Sequence, residues 1–447
     1  MLNNTNTLFV IFTIIVIAVL IADTALSKVS DILGKRSYLG WSTVVYISLN
    51  CAFVVSQVFL LRFAKKKITQ LGINKVPHLK LLHSMVTITQ YLLVAIIIFL
   101  NYQIIVTSHY NVVVIEVATT ISDSLALFVL AVLSYRLILW SKINKSKAIV
   151  LLYAISTVAL AINVLFSLPY MDLSLINRPS TVSANSINNF RPLVEGTTIY
   201  FLSRGYVISD IASFIAIWIS SLFLLYHFYK RAHTLKFWVI VASPLAFFLS
   251  QFIAVIFNIL SSAMGTIDPL LFNILMTLVF SSTKLVGGVL FGVAFWTIAR
   301  TIRKDSYVRD YMLMSCYGVI LFFVSGTSGA IQAAFPPFGV LAIAMEGFAS
   351  YMLFLGIYSS AISVSQDSML RRSIRKTVES QSNLLQSIGA AEMQKKIERR
   401  VLKTAKDNAD KMKEDTGIEK SMSDTEIQDY MNQVVNELLH VRKRPQQ

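Results

Sequence analysis

Four ionisable side chains fall inside stretches of sequence that are otherwise apolar: Glu116, Asp123, Lys284 and Glu346. A charge in hydrocarbon costs several kcal/mol, so each such group calls for a partner or a wet cavity. Glu116 and Asp123 are seven residues apart, which puts them two turns apart on one face of a helix. Two chemistries fit the set. In the first, Lys284 is a structural counter-ion for one of the acids, and the pair fixes helix packing. In the second, the lysine and the acids form a proton- or ion-coupled site, because burial disfavours charge on both kinds of group and lets protons exchange near neutral pH. Asp23 and Asp210 lie near span ends on this reading, close enough to water to need no partner. Around Lys284 the sequence is TKLVGGVLFG, in which Gly288 and Gly292 form a GxxxG with Gly287 beside it. Small residues at that spacing let a second helix approach closely, for packing or beside a path past the lysine. Gly326-Thr327-Ser328-Gly329 is the nearest comparable surface.

The elements that must hold these residues are apolar runs, each about the length of a bilayer. Ten spans are expected, near 8–26, 38–61, 85–106, 112–139, 148–168, 207–229, 237–261, 270–299, 311–333 and 338–364. The chain is 55% apolar and 14% charged, where a soluble domain carries about 25% charged residues. The predicted fold class is therefore all-α: a transmembrane helix bundle over residues 1–365 followed by a polar helical tail over 366–447. The net charge of +16 sits mainly in short loops beside the apolar runs, so it reports orientation and contact with the lipid bilayer, and nucleic acid is not an expected partner. Arg62, Lys65, Lys66 and Lys67 follow span two, Arg136 and Lys142 follow span four, Lys230 and Arg231 span six, Arg300 and Arg303 span eight. The turns 107–111, 262–269 and 334–337 contain no Lys or Arg. The alternation puts the basic loops, the tail and the N-terminus in the cytoplasm. Lys28, Lys35 and Arg36 run against it, falling in a loop assigned outside. Span one lacks the basic start and the small-residue cleavage site of a signal peptide and is kept as a span.

Residues 169–206 form the largest external segment, with Pro169, Pro179, Pro192 and an Asn/Ser-rich stretch, and read as a flexible connector. Residues 196–206 within it are semi-apolar and suit the membrane interface. Cys51 and Cys316 are far apart and form no disulfide framework or CxxC. HExxH, Walker A, GxSxG and strand-to-helix GxGxxG motifs are absent, so no enzyme chemistry, cofactor or metal is indicated.

The tail has its own pattern. From 368 to 413 it is free of proline and rich in Glu, Lys, Arg and Gln, which predicts a long amphipathic helix with a break near Gly389. Ser423 and Glu426 match a capping box, and after them Ile427, Met431, Val434 and Leu438 mark an apolar face. That face needs cover from this chain, a second copy or a cytoplasmic partner. The junction YSSAISVSQDSMLRRSIRK, continuing into IGAAEMQKKIERRVLK and the late DTEIQDYMNQVVNEL, resembles the tails of uncharacterised multi-span membrane proteins of ammonia-oxidising archaea. The resemblance covers the last span and the tail, roughly a quarter of the chain, and implies a plasma-membrane location in a single-membrane cell. Two functions are expected from these features. One is a receptor-like sensor or membrane-complex subunit that relays through the tail. The other is a secondary transporter or channel with an ionisable site among spans four, eight and ten.

Overall fold

The computed structural model describes residues 2–33, 39–70, 77–143, 148–176, 178–183, 196–228, 235–253, 268–302, 306–326, 335–366 and 383–416. Six long helices come first: α1 (Leu2–Leu33), α2 (Leu39–Gln70), α3 (Pro77–Thr107), α4 (Val112–Ile143), α5 (Ala148–Ile176) and α6 (Thr198–Phe228). A shorter α7 (Leu235–Ser250) follows, then α8 (Pro269–Ser281) and α9 (Thr283–Thr301), which together make one long apolar segment. The series ends with α10 (Tyr307–Ser325), α11 (Val340–Gln366) and the tail helix α12 (Asn383–Thr416).

Among the described residues, nine helical segments are long and apolar enough to cross a membrane, so the protein is an all-α, multi-pass integral membrane bundle. The seventh expected span is the exception. Its helix, α7, has 16 residues and is about 24 Å long, short of a hydrocarbon core of about 30 Å. Residues 254–261 of that span lie outside the described set, as do Thr327, Ser328 and Gly329, Lys35 and Arg36, and the tail face at Ile427, Met431, Val434 and Leu438. Lys28 belongs to α1 itself, which runs on to Leu33.

The bundle is built around α11. Its apolar stretch is 94% buried by protein, against 33–50% for the spans of α1 to α6. Those outer helices leave Ile88, Ile98, Val113, Ile155 and Phe201 on the surface, the side chains that lipid covers in a membrane. α10 and α11 lie against each other along their lengths, with Tyr311, Met312, Phe348 and Met352 fully covered. On one side of the bundle the α3–α4 connection, His109–Asn111 (β1), pairs antiparallel with Thr181–Ser183 (β2), with Tyr110 opposite Val182 and both buried. Part of the expected flexible segment is thus a pinned ribbon. A further part is helix: α6 begins at Thr198, nine residues before the expected start of span six. Thr197 starts it, its hydroxyl accepting a hydrogen bond from Tyr200 N at 3.4 Å.

The tail helix docks on the opposite side. Leu384, Leu385, Ile388 and Ala391 are buried against α11, α4 and α5, and Trp140 Nε1 donates to Glu392 Oε2 at 3.0 Å. Further along α12, Ile397 and Val401 are exposed.

Candidate functional site

The early start of α6 decides the site. Asp210 lies about 18 Å down that helix, not at its mouth, and its carboxylate meets Lys284. The Lys284 Nζ to Asp210 Oδ1 distance is 2.9 Å, and the two side chains are 15% and 14% exposed. Lys284 Nζ also donates to the Gly326 carbonyl at 3.2 Å and stands 5.8 Å from the Tyr206 ring centroid. The lysine is therefore held by α6 and by the end of α10, and the counter-ion is none of the acids expected from the sequence.

Lys284 is positioned by an irregular stretch where α8 passes into α9. Ser281, Ser282 and Thr283 each turn their hydroxyl back onto the carbonyl three residues earlier, at 2.7–2.9 Å. Such back-bonding competes with the helical ladder and bends a helix, and here it falls immediately before the lysine. Gly288 and Gly292 then seat α9 against α10. A Cβ on Gly288 would lie 2.7 Å from Phe323 Cβ, and one on Gly292 would lie 2.6 Å from Ile320 Cγ1. Gly287 faces the Phe214 ring instead. The GxxxG is thus a packing surface that fixes the height of Lys284 relative to α10.

Glu346 and Asp123 complete the acidic side. Glu346 lines the same small cavity as Lys284 and Asp210, about 20 Å³ in volume and bounded also by Asn163, Ser167 and Tyr206. That is room for a water molecule, in a setting with several polar partners. Asp123 on α4 is 2% exposed, within electrostatic reach of Glu346 and Asp172, and accepts a hydrogen bond from Ser167. Close contact between α4 and α11 puts these acids together. Ser122 Oγ donates to the Ile343 carbonyl at 2.6 Å and accepts from Gly347 N at 3.3 Å, and a Cβ on Gly347 would lie 3.0 Å from the Ser122 carbonyl. Asp172 in turn accepts from Thr120 Oγ1 at 3.0 Å. Among the described residues neither Glu346 nor Asp123 forms an ion pair, and Lys28 of α1 is a further cation within electrostatic reach of Lys284. Carboxylates therefore outnumber ammonium groups around the cavity.

The cavity ends against a cluster of rings. Phe322 and Phe323 form part of its wall, and behind them Phe214 stacks on Phe248 at 3.9 Å and meets Phe291 edge-on at 5.2 Å. The rings make that side of the cavity apolar.

Two sequence expectations change. Glu116 is partly exposed near the start of α4 and does not line the cavity, although it shares a helix with Asp123. Asp23 is fully buried, not near water: its Oδ2 accepts from Leu341 N at 3.2 Å and Ala342 N at 3.4 Å, capping the start of α11 from a distant helix. The free amides and the positive dipole end of α11 are what a carboxylate satisfies there. Asp210, Tyr206, Asn163 and Ser167 were not expected in the site. Thr197, an N-cap residue before a semi-apolar run, is the signal that would have moved Asp210 to mid-span. Among the described residues no group of three or more His, Cys, Asp and Glu has the arrangement of a metal site. Comparison with family models, with curated proteins and with solved structures finds no match.

Proposed function

We propose that this protein is a secondary transporter or channel that passes protons through the cavity between α5, α6, α9, α10 and α11. The observation that carries the reading is the surplus of interior acids: half-buried Glu346 and buried Asp123 lie beside the Lys284–Asp210 pair and form no ion pair among the described residues. Carboxylates buried without a counter-ion take up a proton or a cation, and a paired lysine beside them can exchange partners as they do. The α8–α9 junction just before the lysine and the aromatic rings on the cavity wall supply the parts that such a cycle would move. In proteoliposomes holding a pH-sensitive dye, an imposed potassium–valinomycin potential is expected to drive proton entry. Glu346→Gln should abolish that entry while leaving the protein monodisperse and thermally stable. Equal entry in Glu346→Gln and wild type would overturn the reading.

The second reading, a sensor or complex subunit, is supported by α12. Its first turns dock on α4 and α11, two helices that carry the acids, so a change at the cavity can reach the tail through packed side chains. Deleting the residues after Gln366 should then leave the bundle folded and remove a cellular response, while proton entry persists.

A further inference from the structure

On the tail side of the bundle α3, α4 and α11 leave an apolar groove of about 200 Å³. Leu82 and Met85 form one wall, Phe128 and Val132 the other, and Phe354 and Tyr358 the floor. The groove opens to the surface that lipid covers: Leu81, Met85 and Phe128 are 63%, 43% and 45% exposed. Arg136 is the one charged group among the described residues that line it. Its guanidinium lies 5.4 Å from the Tyr358 ring centroid, and it forms no ion pair among the described residues. Phe128 is eight residues deeper on α4, which makes the groove about 12 Å long below Arg136, close to the depth of one leaflet's hydrocarbon. Lys80 and Tyr135, next in sequence to the lining residues Leu79, Leu81 and Arg136, are exposed.

We propose that this groove binds one hydrocarbon chain of an anionic phospholipid, with the lipid phosphate held by Arg136. Each part of the geometry asks for that occupant. The walls are aliphatic and aromatic and leave a slot, so they take a chain and not a polar solute. The guanidinium sits at the end of the slot nearest the headgroup region, where its planar fork can bind two phosphate oxygens. Basic pockets between transmembrane helices on the basic side of a bundle recognise anionic headgroups in this way. Tyr358 also stacks on Trp140 at 6.0 Å, and Trp140 holds Glu392 of the tail helix. A lipid that draws Arg136 off Tyr358 therefore acts on the same stack that seats α12. This inference stands apart from the transport reading and needs no flux to be tested.

The test is photolabelling of the full chain in phosphatidylcholine nanodiscs with trace phosphatidylglycerol or phosphatidylcholine carrying a diazirine in the acyl chain, with the labelled sites mapped by mass spectrometry. Phosphatidylglycerol is expected to label Met85, Phe128 and Val132 about fivefold more than phosphatidylcholine does, the factor one arginine supplies. Unlabelled phosphatidylglycerol should compete. Arg136→Gln should bring the two lipids level, and Val132→Trp, which fills the slot and keeps the arginine, should remove the label. Equal labelling by both lipids in the wild type, or label spread evenly around the bundle, would mean ordinary boundary lipid and would overturn the proposal. A phosphatidylglycerol preference that survives Arg136→Gln would overturn it as well.

Discussion

Among the described residues two ion pairs join distant segments of this bundle, and they differ in what surrounds them. Lys67 at the end of α2 pairs with Asp310 in the first turn of α10, and the lysine is 3% exposed. Its aliphatic stem lies by Phe63, with Nζ 5.4 Å from the ring centroid, and Tyr311 Oη donates to the Lys67 carbonyl at 3.3 Å. This pair sits in a packed corner. Lys284 and Asp210 have the same chemistry but sit on a cavity that Glu346 also lines, with Asp123 behind it. The second pair thus has further carboxylates and a cavity beside it. Burial of an ion pair is therefore no mark of function by itself; the mark is charge left over after pairing, together with space for water.

The largest effects come from breaking either pair. Lys67→Met, Asp310→Asn and Lys284→Met each strand one charge in a poorly solvated place, which costs about 3–5 kcal/mol, whereas Asp210→Asn leaves Lys284 the carboxylate of Glu346 and costs less. Thermal unfolding in detergent should show the first three as strongly destabilised and Asp210→Asn as milder. The double variants separate the two regions. Lys67→Met with Asp310→Asn should recover most of the stability and leave proton entry intact. Lys284→Met with Asp210→Asn should recover stability and still lack proton entry. If both double variants transport as wild type does, the contrast between the pairs is empty.

A steric probe comes next. Gly347→Leu pushes a side chain into the contact with Ser122 and Leu125, where a Cβ alone already meets Leu125 Cδ2 at 2.9 Å. Overpacking of this kind costs about 1–3 kcal/mol and moves Glu346 away from Asp123. The expected result is a modest fall in melting temperature with a much larger fall in proton entry. A matched change at Gly292, against Ile320, should lower stability as much while disturbing Lys284 from a different side.

How far the site was legible in the sequence follows from the same residues. Lys284, Glu346 and Asp123 announce themselves because a charge interrupts a long apolar run, and the structure gathers these three in one region. Asp210 was invisible because hydropathy averages over a window. The preceding TTIYFLSRGY mixes polar and apolar residues, so the span seemed to begin at 207 and the acid seemed to lie at its edge. Asp23 was misplaced for the same reason, since α1 continues through polar residues to Leu33. The β1–β2 ribbon has three residues per strand, too few for any period to register. Membrane spans are legible because lipid imposes a length and a polarity; which acid meets which lysine depends on helix rotation and height, set by contacts such as Gly292 on Ile320 that leave no local trace.

A smaller effect tests the tail side. Trp140→Phe keeps the ring that stacks on Tyr358 and removes the donor to Glu392. A hydrogen bond to a charged group is worth about 1.5–3 kcal/mol, and part of it returns as Glu392 turns to water. Hydrogen exchange should rise over 384–391 and stay unchanged through α10 and α11. Exchange that rises in the bundle as well would mean that α12 is part of the fold and not a docked element.

The smallest effect discriminates best. Glu116 and Glu346 are the same residue type, each one to two turns from the same side of the bundle, and the sequence alone ranks them together. Glu116 is partly exposed and away from the cavity, whereas Glu346 lines it. A surface substitution of this kind changes stability by no more than about 0.5 kcal/mol, so Glu116→Gln should melt with wild type. It should also leave proton entry at the wild-type rate, which no general effect of removing an acid from the membrane region would do. If Glu116→Gln and Glu346→Gln lose proton entry alike, the cavity has no special role and the site must be drawn along the whole of α4. If they part, the difference belongs to position, and the cavity beside Lys284 and Asp210 is where the proton is held.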